Sequence, residues 1–327
     1  MGLQLALLLI APCAYGLVCG FNDGGSLLAS FTAGRVISPR VAMALLLLTV
    51  LGPILVGTQV AHTVAFSIID LPAQGAAGYV LITAVSLLVV LGSWSFKVPT
   101  SVTLALAGSM VGWALAGDAG RIHWSGVLRV VLGTPASILA GAGLAFLIYR
   151  TLRRLLVPVP YARAIALARL QYISAGVQAV AYGSNDMEKA IGLVTVAGLL
   201  AGRGAVMGRW VPVGIGFAGF VVGALLGGWG LARRLGFGVF RVRPVQAMSQ
   251  QLGAGLTVTA LSLAGAPISS SQTINGSLVG VGVAVRASAV RWGVVREMLF
   301  SWLLTLPLAL LGALALHGLL RLIGLIR

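Results

Sequence analysis

The sequence predicts an all-α polytopic membrane protein: two inverted-topology repeats with broken helices and two re-entrant helical hairpins. Three observations carry this expectation. The 327 residues are 59% hydrophobic and only 9% charged, with a mean hydropathy of +1.04, whereas a soluble domain is about 25% charged. The apolar residues gather into blocks at 1–34, 41–61, 78–117, 126–149, 167–202, 206–231, 245–285 and 294–320, and about 20 residues cross a bilayer as a helix. Two short motifs recur about half a chain apart. Hydrocarbon admits only helices and closed barrels, and uninterrupted Leu, Ala, Val and Gly runs lack the alternation of barrel strands.

The net charge of +16 would point to nucleic acid in a soluble protein. Here the arginines stand at the ends of apolar blocks, where they set orientation, and no nucleic-acid partner is expected. With the N-terminus outside and the third and seventh blocks folded as hairpins, thirteen connecting arginines, from Arg35 and Arg40 to Arg291 and Arg296, fall inside. Five, Arg121, Arg203, Arg209, Arg321 and Arg327, fall outside. A multi-pass protein of the cell (plasma) membrane with both termini outside is the expected topology. Cys13 and Cys19 read as small apolar side chains. The stretch from Met1 to Cys19 lacks the basic start and the cleavage site of a secretory signal, so it reads as part of the first helix.

In chain order, the first block holds Gly20-Phe21-Asn22-Asp23-Gly24-Gly25. An ionised carboxylate at membrane depth costs about 2.5–3.5 kcal/mol even on the lenient insertion scale and needs a partner or a proton. The glycines predict a helix break that frees backbone carbonyls. The second block is one span. The third is too long for one span and reads as a hairpin whose second arm starts at Pro99-Thr100-Ser101-Val102-Thr103. The fourth closes a first repeat over 1–149, and a basic cytoplasmic linker follows over 150–163. The second repeat, 164–327, opens with Gly183-Ser184-Asn185-Asp186, the counterpart of Gly20 to Asp23. The sixth block is a span, and the seventh is a hairpin with Pro267-Ile268-Ser269-Ser270-Ser271, in which Pro267 takes the place of Pro99. The eighth is the last span. Within each half the proline follows the asparagine at nearly the same distance, from Asn22 to Pro99 and from Asn185 to Pro267. That ties the two motifs into one repeat, and an odd number of crossings per half inverts the second copy.

The chain carries six acidic residues: Asp23, Asp70, Asp118, Asp186, Glu188 and Glu297. Asp70 and Asp118 read as loop residues, and Glu297 as a cytoplasmic or arginine-paired group. Asp23 and Asp186, with a broken helix and free carbonyls, describe a small-cation site; the plainer reading is that each caps a helix restart. The prolines suit a first helical turn, placing Ser101, Thr103, Ser269, Ser270 and Ser271 around helix N-termini that attract an oxyanion. The plainer reading there is helix packing by small hydroxyl residues. Both lysines, Lys97 and Lys189, lie close to a repeated motif, either balancing charge at the site or snorkelling to water. His62, His123 and His317 lack metal-ligand spacing. No phosphate-binding Gly-x-x-x-x-Gly-Lys loop is present, which argues against an ATP-driven pump.

These motifs resemble those of the inorganic phosphate transporter (PiT) family of secondary carriers over nearly the whole chain. The residues that carry the resemblance are Gly20-Phe21-Asn22-Asp23, Tyr182 to Lys189, the hairpin tips Pro99 to Thr103 and Gly265 to Gln272, Val56-Gly57-Thr58-Gln59-Val60, and Ser301 to Pro307. The resemblance implies a symporter, not an enzyme, that imports inorganic phosphate (or a metal-phosphate complex) at the midplane, coupled to H+ or Na+, with no other cofactor and in a homodimer. It implies substrate contacts from Ser101, Thr103, Thr100, Ser269, Ser270, Ser271, Asn22 and Asn185. The coupling ion falls to Asp23 and Asp186 with Asn22 and Asn185, and no metal beyond Na+ at the two aspartates is expected. Cations or protons must then stand between two carboxylates and an anion. Val102 and Lys97 depart from the usual first tip. Thr49 and Gln251 stand where sodium-coupled members carry glutamate, which leans towards protons. The alternatives are a sulfate permease of the same fold and a non-transporting membrane scaffold.

Overall fold

The computed structural model describes residues 2–71, 75–95, 100–117, 121–156, 169–204, 207–235 and 242–324. Among these the chain is helical apart from turns and one isolated bridge, Ile69 to Ile122. Helix α1 (Gly2–Cys19) runs through a π-helical turn, Gly20–Gly24, into α2 (Gly25–Ala33). Pro39, directly after the capping Ser38, starts α3 (Pro39–Leu46), which continues through a tight turn, Leu47–Val50, into α4 (Leu51–Leu55). Gly57, at φ +111°, then breaks the span, and α5 (Gln59–Phe66) leaves at 74° to the preceding helix. A left-handed backbone of this kind suits only glycine. Helices α6 (Ala76–Ser95), α7 (Val102–Leu115) and α8 (Trp124–Leu156) complete the first half.

The second half has a similar order of elements, with its second span unbroken. Helix α9 (Gln171–Tyr182) passes through a second π turn, Gly183–Met187, into α10 (Glu188–Leu200). There follow α11 (Trp210–Leu235), α12 (Pro244–Leu263), α13 (Ser270–Val285) and α14 (Trp292–Leu322). Among the described residues five helices are long and apolar enough to cross a bilayer, or six with the bent α3–α5 span. Exposed leucines such as Leu88, Leu139, Leu226 and Leu303 line their outer faces, as contact with lipid requires.

Helices α7 and α13 are of another kind. The 14 residues of α7 reach about 21 Å at 1.5 Å per residue, short of the roughly 30 Å hydrocarbon core. Val102 through Ala114 are buried without exception. Each folds back on the helix before it, α7 on α6 and α13 on α12, as the two hairpins require.

Each hairpin arm is gripped by the other half of the chain. Gly108 and Gly112 of α7 press on the carbonyls of Leu306 and Leu310 in α14, while Gly276 and Gly280 of α13 press on those of Ile138 and Ala142 in α8. One constant offset in numbering relates all four residues of the second set to their counterparts in the first. A Cβ at Gly108 or Gly276 would meet the facing oxygen at 2.5 or 2.6 Å, so only glycine permits the approach; this small-xxx-small spacing is a recurrent close-packing device in membranes. The π turns exchange partners in the same way. Gly20 abuts the Phe220 carbonyl and Gly183 that of Thr49; Gly223 abuts Leu17 and Gly52 abuts Val180.

Three expectations change in detail. Neither Asn-Asp pair breaks its helix: the backbone stays right-handed and the turn widens to a π turn. Neither described hairpin arm starts at its proline. Helix α13 begins at Ser270 after the cap residue Ser269, because the Ile268 peptide is held by side chains instead of helix bonds; Pro99 lies outside the described residues. The expected linker at 150–163 is helical, as the end of α8, through Leu156, and the rest of it lies outside the described residues.

Candidate functional site

The two π turns bring Asn22, Asp23, Asn185 and Asp186 into the buried interior, between the halves. A π turn inserts an extra residue into the helix and often marks a functional position. Here it aims both residues of each pair inward without exposing backbone to hydrocarbon, which only satisfied helices tolerate.

Asn185 clamps the tip of the second hairpin. Its Nδ2 donates to Ser262 Oγ at 3.0 Å and to the Ala266 carbonyl at 3.1 Å, and its Oδ1 accepts from the Ile268 N–H at 3.2 Å. The Ile268 carbonyl in turn accepts from Thr103 Oγ1 at 2.8 Å, joining the two hairpins, and from Lys189 Nζ at 2.7 Å. Lys189 also donates to Asp186 Oδ1 at 2.6 Å, with both side chains essentially shut off from solvent. It therefore does not snorkel; it balances charge. Asp186 Oδ2 and Ser270 Oγ are both buried and make no close hydrogen bond, and Ser270 lies beside the Asp186 carboxylate.

Asp23 shares this interior, close enough to Asp186 and Lys189 to feel their charges, with Ser271 beside it. Its Oδ1 accepts from Asn22 Nδ2 at 2.9 Å. Ser269, Ser270 and Ser271 open α13 there, so free N–H groups and the positive end of a helix lie next to two carboxylates. In the first hairpin Ser101 caps α7, its Oγ accepting from Leu104 N at 3.2 Å, and Thr100 meets Thr305 at 2.8 Å. Every one of these predicted site residues is buried. Thr103, Ser270, Ser271 and both Asn-Asp pairs converge, while Thr100 is turned to α14.

The remaining charged residues sort out plainly. Asp70 pairs with His123 at 2.9 Å in an exposed connection and Glu297 is exposed; Asp118 and Lys97 lie outside the described residues. Among the described residues no group of three or more His, Cys, Asp or Glu side chains could hold a metal. Thr49 hydrogen bonds to its own helix, and Gln251 joins Ser174 and the Ser30 carbonyl in a buried neutral network.

Glu188, which its spacing alone does not mark, is buried next to the second pair. Its Oε2 accepts from the N–H groups of Val60 at 3.0 Å and Ala61 at 3.1 Å, capping α5 at the break in the second span. Adjacency to the motif is the one signal in the sequence, since both partners belong to the other half of the chain. Removing the acceptor would leave both buried N–H groups unsatisfied, at about 1–3 kcal/mol each. Glu188→Ala should therefore melt several degrees below the parent in detergent, and Glu188→Gln, which keeps a neutral acceptor, should lose about half as much. An alanine variant that melts with the parent removes this role.

Beside the α5 break lies an open cavity of about 640 Å³. Gln59, His62, Arg129, Arg209 and Gly265 line it, so two arginines stand over the approach to the second hairpin tip. A separate space of about 20 Å³ lies between α2 and α13, lined by Ser26, Ser30, Gln250 and Asn275.

The sequence pattern of the phosphate transporter family matches residues 19–313. A probable low-affinity inorganic phosphate transporter of Mycobacterium bovis is 34% identical over 99% of this chain and 80% of its own length. One from Bacillus subtilis is 27% identical over 94% and 95%. A solved structure described as the sodium-dependent phosphate transporter superposes with a TM-score of 0.83 at 18% identity, covering 98% of this chain and 99% of its own; at that identity the likeness is one of fold.

Proposed function

The chain belongs to the phosphate transporter family, and we propose that it is a symporter that imports inorganic phosphate across the plasma membrane, driven by H+ or Na+. It is a membrane carrier and not an enzyme. The observation that carries the proposal is the convergence of Asp23 and Asp186 on the N-terminus of α13 and its serines. A tetrahedral oxyanion suits free N–H groups and hydroxyls. Two carboxylates beside it repel the anion unless positive charge stands between, so anion and cation bind as a set, and neither occupies the site cheaply alone. That mutual dependence is a coupling free energy, reciprocal between the two ligands.

The substrate contacts are Ser269, Ser270, Ser271, Ser101, Thr103 and, from the π turns, Asn22 and Asn185; Thr100 joins them once its bond to Thr305 is released. Asp23 and Asp186 are the seats of positive charge. The reciprocal glycine contacts support two inverted repeats that rock about a shared interface, with the substrate held between them. With both termini outside, the arginine-lined cavity faces outward and collects anions, while the narrow space between α2 and α13 is the closed inner passage. Free phosphate or a metal-phosphate complex fits this scheme, in a monomer or a homodimer. A scaffold without transport activity would have no use for buried, partly unpaired carboxylates that cost free energy in lipid.

Purified protein in proteoliposomes should accumulate labelled phosphate when a proton or sodium gradient is imposed, and the gradient that drives uptake identifies the ion. Excess sulfate should compete weakly. Uptake of sulfate in preference to phosphate, or no uptake under either gradient, would overturn the assignment.

A further inference from the structure

Among the positions where the two halves differ, one places a charge inside the site. The offset in numbering that carries Asp186 back onto Asp23 carries Lys189 back onto Ser26, which is neutral, buried and on the same turn relative to Asp23. Among the described residues Asp23 therefore has no cation of its own half against it. The second half carries Asp186 with an ammonium held against it at 2.6 Å and against the Ile268 carbonyl at 2.7 Å. A carboxylate oxygen and a backbone carbonyl at the tip of a hairpin, both buried, are hard oxygen donors of the kind that hold a small cation.

We propose that Lys189 is a tethered cation: its ammonium fills, in the second half, the seat that an exchangeable coupling ion takes at Asp23 in the first. The inference rests on the reading of the Asn-Asp pairs as cation seats given above. A lysine ammonium is a compact point charge on a flexible stem, well suited to stand in for a bound ion. It neutralises Asp186 permanently and needs no gradient to be loaded. Phosphate then meets one built-in positive charge and one that must be supplied, and each phosphate is accompanied by one cation fewer than a carrier with two open seats would take.

The geometry also explains why the lysine is tolerated. A buried ammonium without a partner is costly, but this one donates to a carboxylate and to a carbonyl that also receives Thr103. Buried pairs persist when geometry is good and further hydrogen bonds complete them. The i, i+3 spacing puts Asp186 and Lys189 on one face of the helix, so the pair forms inside one element and does not depend on the hairpin being closed.

Lys189→Ser copies the first half and Lys189→Ala empties the seat. In detergent, both variants should melt lower than the parent in choline chloride and recover either in sodium chloride of equal concentration or at a lowered pH, while Asp186→Asn/Lys189→Ala should lose that response. In proteoliposomes, the number of cations carried per phosphate, read from the membrane potential that stops net flux, should rise by about one in Lys189→Ser. Variants that gain no stability either from sodium chloride over choline chloride or from a lowered pH, whether or not they transport, would show that Lys189 is a structural ion pair and nothing more. So would transport at the parent's ion ratio. A parent that takes up no phosphate under any gradient sinks the function proposed above, whereas the melting response needs no transport and still decides the seat.

Discussion

Asp23→Asn should abolish concentrative phosphate uptake while leaving insertion and melting temperature close to those of the parent. The side chains are nearly isosteric, and the bond that the Asp23 carboxylate accepts from Asn22 Nδ2 at 2.9 Å can be re-made to an amide oxygen. What the substitution removes is the negative charge on which an exchangeable cation would sit. Ligand coupling of about 1–3 kcal/mol corresponds to roughly a 5–150-fold effect of one ligand on the affinity of the other, so accumulation should fall by about that factor and approach equilibration with the outside. Asp186→Asn is a less clean test. It strands the Lys189 ammonium, and removing one partner of a buried pair costs about 3–5 kcal/mol, so lost uptake there would be mixed with lost protein. The measurement is accumulation of labelled phosphate normalised to inserted carrier. Concentrative uptake at the parent's level by Asp23→Asn would mean that the driving ion sits elsewhere.

The parts of this site that are legible in the sequence share one physical feature: polar residues that are too costly to leave in lipid without a reason. Asn22, Asp23, Asn185 and Asp186 stand out that way, and so do the hydroxyl runs at the hairpin tips. The glycines mislead. Gly20, Gly24 and Gly183 suggest points where a helix breaks, because glycine permits unusual backbone angles. Here they serve close approach: a side chain at Gly20 would strike the Phe220 carbonyl, at Gly24 Ala224, and at Gly183 the Thr49 carbonyl. Sequence shows that a side chain is missing without showing which neighbour needs the room. The break that does occur, at Gly57 with φ +111°, is visible in sequence only as part of a family-like motif. Lys189 can be placed near the site but not inside it, since its burial depends on the Ile268 carbonyl at a distant hairpin tip. Glu188 is the same case, as its partners belong to the other half.

The glycine contacts between the two halves lead to the second large effect. Gly280→Ala should cost about 3 kcal/mol or more, at the upper end of the usual penalty of about 1–3 kcal/mol for overpacking. The added methyl would run into the Ala142 backbone carbonyl, which cannot turn aside as a side-chain tip can. Gly112→Ala should behave alike, because it meets the Leu310 carbonyl at the related position. Gly143→Ala, in the middle of α8 and with open space around its Cβ, should instead be neutral or gain up to about 1 kcal/mol from helix propensity. Thermal melting of the three variants in one detergent reads the contrast directly. If Gly280→Ala and Gly112→Ala melt with Gly143→Ala, the close approach is not what fixes the hairpin arms. If only the first two fall, and lose uptake although neither touches the proposed phosphate site, then the arms that present Thr103, Ser270 and Ser271 are positioned by the opposite half of the chain. Movement of one half against the other would in that case re-aim both sets of hydroxyls at once.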